Sequence, residues 1–273
     1  MDLLSRAFDA NRAPRVPLPW APLARLALVA VAALALGEWI WLHDGGLQPF
    51  GRAAGTAAVH GSLVAAAATI ASGGGLWRPA IRVAAAILVA AAATRVTPWG
   101  ALAYLLPPVI LIREGRRVPA LRALGLIVPG LQSILVGLAA GVFLGIHLLV
   151  SGSLTFGYTV RPSSLGGYLS AVAYDVGASA LSAECFFRGA VLTAWWGRAA
   201  FGWAAAGSTA LALIRYLLDP AMPRTLEALA GAIFYLGLLG VSACALRAWS
   251  GSLLPGYLAT LGFFSAYRLL GEW

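Results

Sequence analysis

Residues 121–150 read LRALGLIVPGLQSILVGLAAGVFLGIHLLV. After Arg122 the run carries no arginine, aspartate or glutamate to its end. The hydrocarbon core of a bilayer, roughly 30 Å thick, needs about 20 such residues at helical rise, so the stretch is expected to cross a membrane as a helix. Gly137, Gly141 and Gly145 recur within it at a spacing of four. That spacing puts three residues without side chains on one face, where a neighbouring helix can approach closely.

The rest of the chain is of the same kind. It has 273 residues, 60% hydrophobic and 11% charged, with a mean hydropathy of +0.84. A soluble domain carries roughly 25% charged residues, so the expected fold is an all-α polytopic transmembrane bundle of about eight spans. Arg6, Arg12, Arg15 and Arg25 precede LALVAVAALALGEWIWL, whose end carries Glu38, Trp39 and Trp41 and is followed by no small-residue cleavage site. Residues 20–42 therefore read as a first span with a cytoplasmic N-terminus, not a signal peptide.

A second span is expected at 53–74, broken by Gly73, Gly74 and Gly75 before Arg78. Apolar segments at 79–95 and 98–112 follow, split by RVTPWG, where Pro98 disfavours helical geometry at Thr97. Arg113, Arg116, Arg117 and Arg122 then give the strongest cytoplasmic signal, consistent with four preceding crossings. After 121–150 comes a Ser/Gly-rich loop at 151–166, expected outside. The remaining segments are 167–187, 199–218, 226–246 and 252–270, with Arg188, Arg198 and Arg247 on one side and Asp219 and Arg224 on the other. This organises the chain as a cytoplasmic segment 1–19, N-terminal spans 20–118 and a membrane core 119–273.

The formal charge of +9 is carried by nineteen basic residues, all arginine and scattered among loops and helix ends. Such a distribution reports topology and contacts anionic lipid, so membrane lipids are expected partners and nucleic acid is not. Arginine without lysine, in an Ala/Gly/Leu-rich chain, is the usage of a GC-rich genome; the expected location is a bacterial cytoplasmic membrane. Cys185 and Cys244 lie in apolar segments with no CxxC pattern, so a disulfide framework is not expected. His43 and His60 read as lying in or beside the first loop and His147 in the glycine-faced span, which leaves no metal-ligand spacing; no cofactor is expected.

Charges inside spans are the functional candidates, because each costs roughly 2.5–3.5 kcal/mol on insertion scales unless paired or solvated. They are Asp175, Glu184, Arg188, Arg215 and Glu227. Glu184 and Arg188 stand four apart, which allows a pair that neutralises itself on one helix face. Asp175 precedes Glu184 by nine residues, placing it on the opposite face of an α-helix. Ser179, within GASA, reads as a small packing residue, and Cys185 has no histidine near it in sequence.

SAECFFRGAVL at 182–192 resembles the first motif, E-E-x-x-x-R, of the CAAX-protease and bacteriocin-processing (CPBP) family of intramembrane proteases. LLGVSACALRAWSGSLLPGYLATLGFF at 238–264 is similar to that family's third-motif region, and LIVPGLQSILVGLAAGVFLG at 126–145 to the helix before the first motif. The resemblance covers roughly 120–270 and implies a CPBP-like core with endopeptidase ancestry. Residue by residue, the family's first glutamate falls on Ala183, its second on Glu184 and its arginine on Arg188. The second motif, F-x-x-x-H, falls on LALIR, with Leu211 at the aromatic and Arg215 at the histidine. The third, H-x-x-x-N/D, puts Thr260 at the histidine and Phe264 at the amide or acid.

A general base needs a lone pair available near neutral pH; alanine has none, and arginine stays protonated. The resemblance therefore implies a degenerate member that binds a membrane protein or a peptide tail as a scaffold, accessory or immunity-type protein. The alternative is an active endopeptidase that uses Glu184 in a rearranged site, with Asp175 or Glu227 as the second carboxylate. An Arg215 facing such a cavity is expected to pair with Glu184. A transporter has less support, since no inverted repeat of broken helices is visible.

Overall fold

The structure is a computed structural model that describes residues 18–43, 45–74, 77–160, 164–217 and 225–270. Arg6, Arg12, Arg15, Gly75, Asp219 and Arg224, and the segment 1–19 up to residue 17, lie outside the described residues. Those described are helical apart from short connections and an isolated bridge between Val160 and Leu270. This is what hydrocarbon demands, since an α-helix satisfies its own backbone polar groups.

The long elements are α1 (Trp20–His43), α2 (Gln48–Ser72), α3 (Trp77–Val96), a 3₁₀ helix (Pro98–Leu105), α4 (Leu106–Arg117) and α5 (Leu131–Phe156). A helical stretch over 165–196, α6, is followed by α7 (Phe201–Leu217), α8 (Leu226–Ser250) and α9 (Leu254–Tyr267). Five segments are long and apolar enough to cross a membrane: Trp20–Ile40, Phe50–Ser72, Arg78–Val96, Leu131–Phe156 and Leu229–Ser250. The other expected spans differ. Residues 98–112 are divided between the 3₁₀ helix and α4, and they are set off from α3 at Thr97, which is extended and whose Oγ1 accepts the Trp99 N–H. The fourteen residues of α9 rise only about 21 Å as an α-helix, short of a full hydrocarbon core.

The chain divides into two compact units that interleave in sequence. One contains Pro17–Leu124 and Pro162–Phe186, the other Gly125–Arg161 and Phe187–Trp273. In the first, α1 packs on α2 and α2 on α3. A Cβ built on Gly61 of α2 would lie 2.7 Å from the Ala84 Cβ of α3, so the α2–α3 contact is close. Helix α2 ends where the glycine run predicts, with Gly73 in the left-handed conformation at φ 66° and its N–H on the Ile70 carbonyl. Glu114, near the C-terminus of α4, is buried and ion-paired to Arg82 on α3.

The second unit is organised by the α5–α9 contact. Side chains built on Gly137 and Gly141 would run into the backbone at Pro255 and Ala259, and one on Gly145 would meet the Ala266 Cβ at 2.6 Å. All three glycines predicted to share a face are therefore in use, and the opposite side of α5 exposes Leu135, Leu138, Val142, Phe143 and Ile146. In a bilayer such exposed apolar residues face lipid. The GSL turn staples the same unit at one end. Gly251 ends α8 at φ 70°, Ser252 Oγ accepts the Leu254 N–H and donates to the Ile127 carbonyl (2.7 Å), and the Leu253 N–H donates to the Gly125 carbonyl (2.9 Å). Arg247 is buried against Gly125, where a Cβ would lie 2.6 Å from its Nε.

Gly141→Leu is expected to destabilise the chain in detergent by at least about 1–3 kcal/mol, the usual cost of overpacking. Gly231→Ala, which would meet nothing within 4 Å, is expected to be neutral or to stabilise by up to about 1 kcal/mol. Thermal unfolding of the two variants in parallel checks both; equal melting temperatures would contradict the close α5–α9 contact.

Candidate functional site

The sequence candidates centre on α6, and α6 is not a plain α-helix. Leu165–Tyr174 is α-helical, Asp175–Ser179 is π-helical, Ala180–Ala183 is α-helical, and Glu184–Val191 is π-helical again before Leu192–Trp196. Such π stretches are rare and concentrate at functional sites. They also change helical phase, so Asp175 and Glu184 are not related by 3.6 residues per turn and the opposite-face expectation loses its basis. In the first π stretch Gly177 lets the 3₁₀ helix approach: a side chain there would strike the Tyr104 carbonyl.

Ala183 is fully buried at the last position before the second π stretch, and Glu184 opens that stretch at 2% exposure. Asp175 opens the first π stretch at 1% exposure. Arg188 is 4% exposed, and its Nη2 would lie 2.9 Å from a Cβ on Gly240 of α8, so the guanidinium packs closely on that glycine. The same Cβ would lie 3.0 Å from Thr209 Oγ1 on α7, which puts Arg188, Thr209 and Gly240 together in the second unit. Ser208, also on α7, donates its hydroxyl to the Phe187 carbonyl at 2.7 Å and so ties α7 to the π-helical backbone.

Arg215 and Phe264 come together through a residue the motif comparison does not mark. The Arg215 guanidinium lies 4.6 Å above the Tyr216 ring, and that ring meets Phe264 edge to face at 5.8 Å. Thr260 is buried one turn earlier on α9, while Leu211 is exposed and Glu227 is exposed in the first turn of α8. His147 is hydrogen-bonded to the Tyr235 hydroxyl at 2.7 Å, and Tyr235 stacks on Phe263. Cys185 and Cys244 are buried thiols.

The polar cluster the sequence misses lies in the first unit. His60 belongs to the middle of α2, not to or beside the first loop, and it is 3% exposed. Its Nδ1 is 2.8 Å from Ser182 Oγ and its Nε2 2.6 Å from the Tyr174 hydroxyl, both on α6. Ser182 Oγ also donates to the Ser179 carbonyl at 3.2 Å. With that proton committed, a neutral His60 donates from Nδ1 to Ser182 and accepts the Tyr174 proton at Nε2. A histidine between residues 53 and 74 is an ionisable group inside an apolar span, the one sequence signal for this cluster.

The arrangement binds α2 to α6 by polar contacts in an apolar interior, immediately before the Ala183–Glu184 pair. It offers no free imidazole lone pair, because both ring nitrogens of His60 are engaged. His60→Ala is expected to cost about 1–3 kcal/mol, since it strips the Ser182 and Tyr174 hydroxyls of a buried partner. A double-mutant cycle with Ser182→Ala, read by thermal unfolding in detergent, should give a coupling of about 0.5–3 kcal/mol; strict additivity would contradict the bond.

No protein-family model, curated protein or solved structure matches the chain.

Proposed function

We propose that this is an integral membrane protein of CPBP-type ancestry that binds a membrane-protein partner or peptide tail without cutting it. In this reading 119–273 forms the CPBP-like core, the shorter helices join the five long ones in a bundle of about eight spans, and the N-terminus is cytoplasmic in a bacterial membrane. The single observation that carries the proposal is the state of the motif segment. Ala183, where the resemblance requires the first glutamate, is fully buried, and Glu184 beside it is 2% exposed.

Hydrolysis needs water, a base that can take its proton, and a route for both. At position 183 there is no acceptor, and Glu184 is shielded from solvent. Arg215 stands where a histidine is required and lies over Tyr216, where a guanidinium can stabilise negative charge but cannot accept a proton. Thr260 and Phe264 offer a hydroxyl and a ring. A rearranged endopeptidase using Glu184 draws support from one observation, that His60 reaches Ser182 two residues away. That histidine is held at both nitrogens and is poorly placed to activate water.

The test compares peptide termini in membranes from cells carrying the wild type or Glu184→Gln, together with a photoreactive residue in place of the exposed Leu211. The expected result is identical termini in the two membranes, and a crosslinked adduct whose partner keeps its full length. Fragments that appear with the wild type and vanish with Glu184→Gln would overturn the proposal in favour of proteolysis. Absence of any polypeptide adduct at position 211 would overturn the binding role.

A further inference from the structure

The largest concentration of like charge among the described residues is in the first unit, away from the motif residues. The Arg82–Glu114 ion pair draws the N-terminal end of α3 to the C-terminal end of α4. Arg78 lies one turn before Arg82, and Arg113, Arg116 and Arg117 surround Glu114 in sequence. Arg122 folds back, with Nη2 on the Arg116 carbonyl at 2.9 Å and Nε on the Gly115 carbonyl at 3.4 Å, which satisfies carbonyls at the end of α4. Five arginines besides Arg82 thus stand close to this ion pair along the chain, and its one carboxylate is buried and committed to Arg82. The six arginine side chains themselves are exposed.

Clustered like charges repel one another and favour counter-charge, which the end of α4 supplies in part through its dipole. The apolar side of α4 indicates the form of the rest. Val109 and Ile112 are 60% and 54% exposed, and they share with Arg113 and Arg116 the i, i+3, i+4 stripe of one helix face. One face of a helix therefore passes directly from exposed hydrocarbon to exposed guanidinium. A soluble phosphate would use only the second half of that stripe. A phospholipid matches both, with acyl chains along Val109 and Ile112 and phosphate oxygens at the arginines.

We propose that the ends of α3 and α4, with Arg78, Arg113, Arg116, Arg117 and Arg122, form a binding surface for an anionic phospholipid. Arg82 is the member that Glu114 holds, and it fixes the spacing between the arginines of α3 and those of α4. The inference rests on the chain lying in a membrane and is independent of the protease resemblance, so it stands or falls separately from the proposed binding of a polypeptide.

The test uses the purified full chain in a neutral detergent, with lipid binding followed by native mass spectrometry and thermal shift. Cardiolipin, with two phosphates, is expected to bind and raise the melting temperature, and phosphatidylcholine to do neither. The triple variant Arg113→Gln, Arg116→Gln, Arg117→Gln should bind cardiolipin on the order of a hundredfold more weakly, and Arg116→Gln alone about fivefold, from about 1 kcal/mol per arginine. Arg95→Gln removes the same charge from the opposite end of α3 and should bind as the wild type. Pyrophosphate should not displace the lipid at matched concentration. Undiminished binding by both α4 variants, equal loss in Arg95→Gln, equal binding of phosphatidylcholine, or displacement by pyrophosphate would each overturn the proposal.

Discussion

The backbone-to-backbone approach of α5 and α9 is the constraint on which the second unit depends. Between apolar helices in lipid there is little hydrophobic gain from association, so contact must come from close packing and from the few polar groups available. Gly137 and Gly141 permit that packing by leaving the Pro255 and Ala259 backbone nothing to strike. Once α5 and α9 are that close, the Ser252–Ile127 and Leu253–Gly125 hydrogen bonds can close the end of the pair. The GSL turn thus has a structural role complete in itself, whichever ancestry it carries.

Polar groups in the interior follow a second rule, that each must find a partner or a pocket cut for it. Arg188 packs closely on Gly240, and the Phe187 carbonyl in the same π stretch receives the Ser208 hydroxyl. His60 has its partners because α6 presents Tyr174 and Ser182 to it. These arrangements are costly in an apolar medium if incomplete, and each joins helices distant in sequence. In the first unit the His60–Ser182 contact stands one turn or less from Ala183 and Glu184, both of which are buried.

The broad pattern of spans could be read from the chain. The apolar runs at 20–42, 53–74, 79–95, 121–150 and 226–246 correspond to α1, α2, α3, α5 and α8, although α5 begins only at Leu131 and continues to Phe156, into the expected 151–166 loop. Other runs resolved differently: 98–112 into a 3₁₀ helix and α4, and 252–270 into a helix of fourteen residues. The π stretches of α6 left no compositional mark. With them went the phase relation between Asp175 and Glu184.

The sequence by itself determined an all-helical chain with membrane-length helices, the glycine face of α5 and the absence of a proton acceptor at position 183, because each follows from local residue type and spacing. Only the tertiary structure decided that His60 meets Ser182 and Tyr174, that Arg188 lies against Gly240, and that Arg215 and Phe264 share Tyr216. Those partners stand tens of residues apart, and a helix of uniform apolar character gives no sign of which face its neighbour will choose. The meeting is settled by packing, where a missing side chain or a single hydroxyl decides which helices can touch.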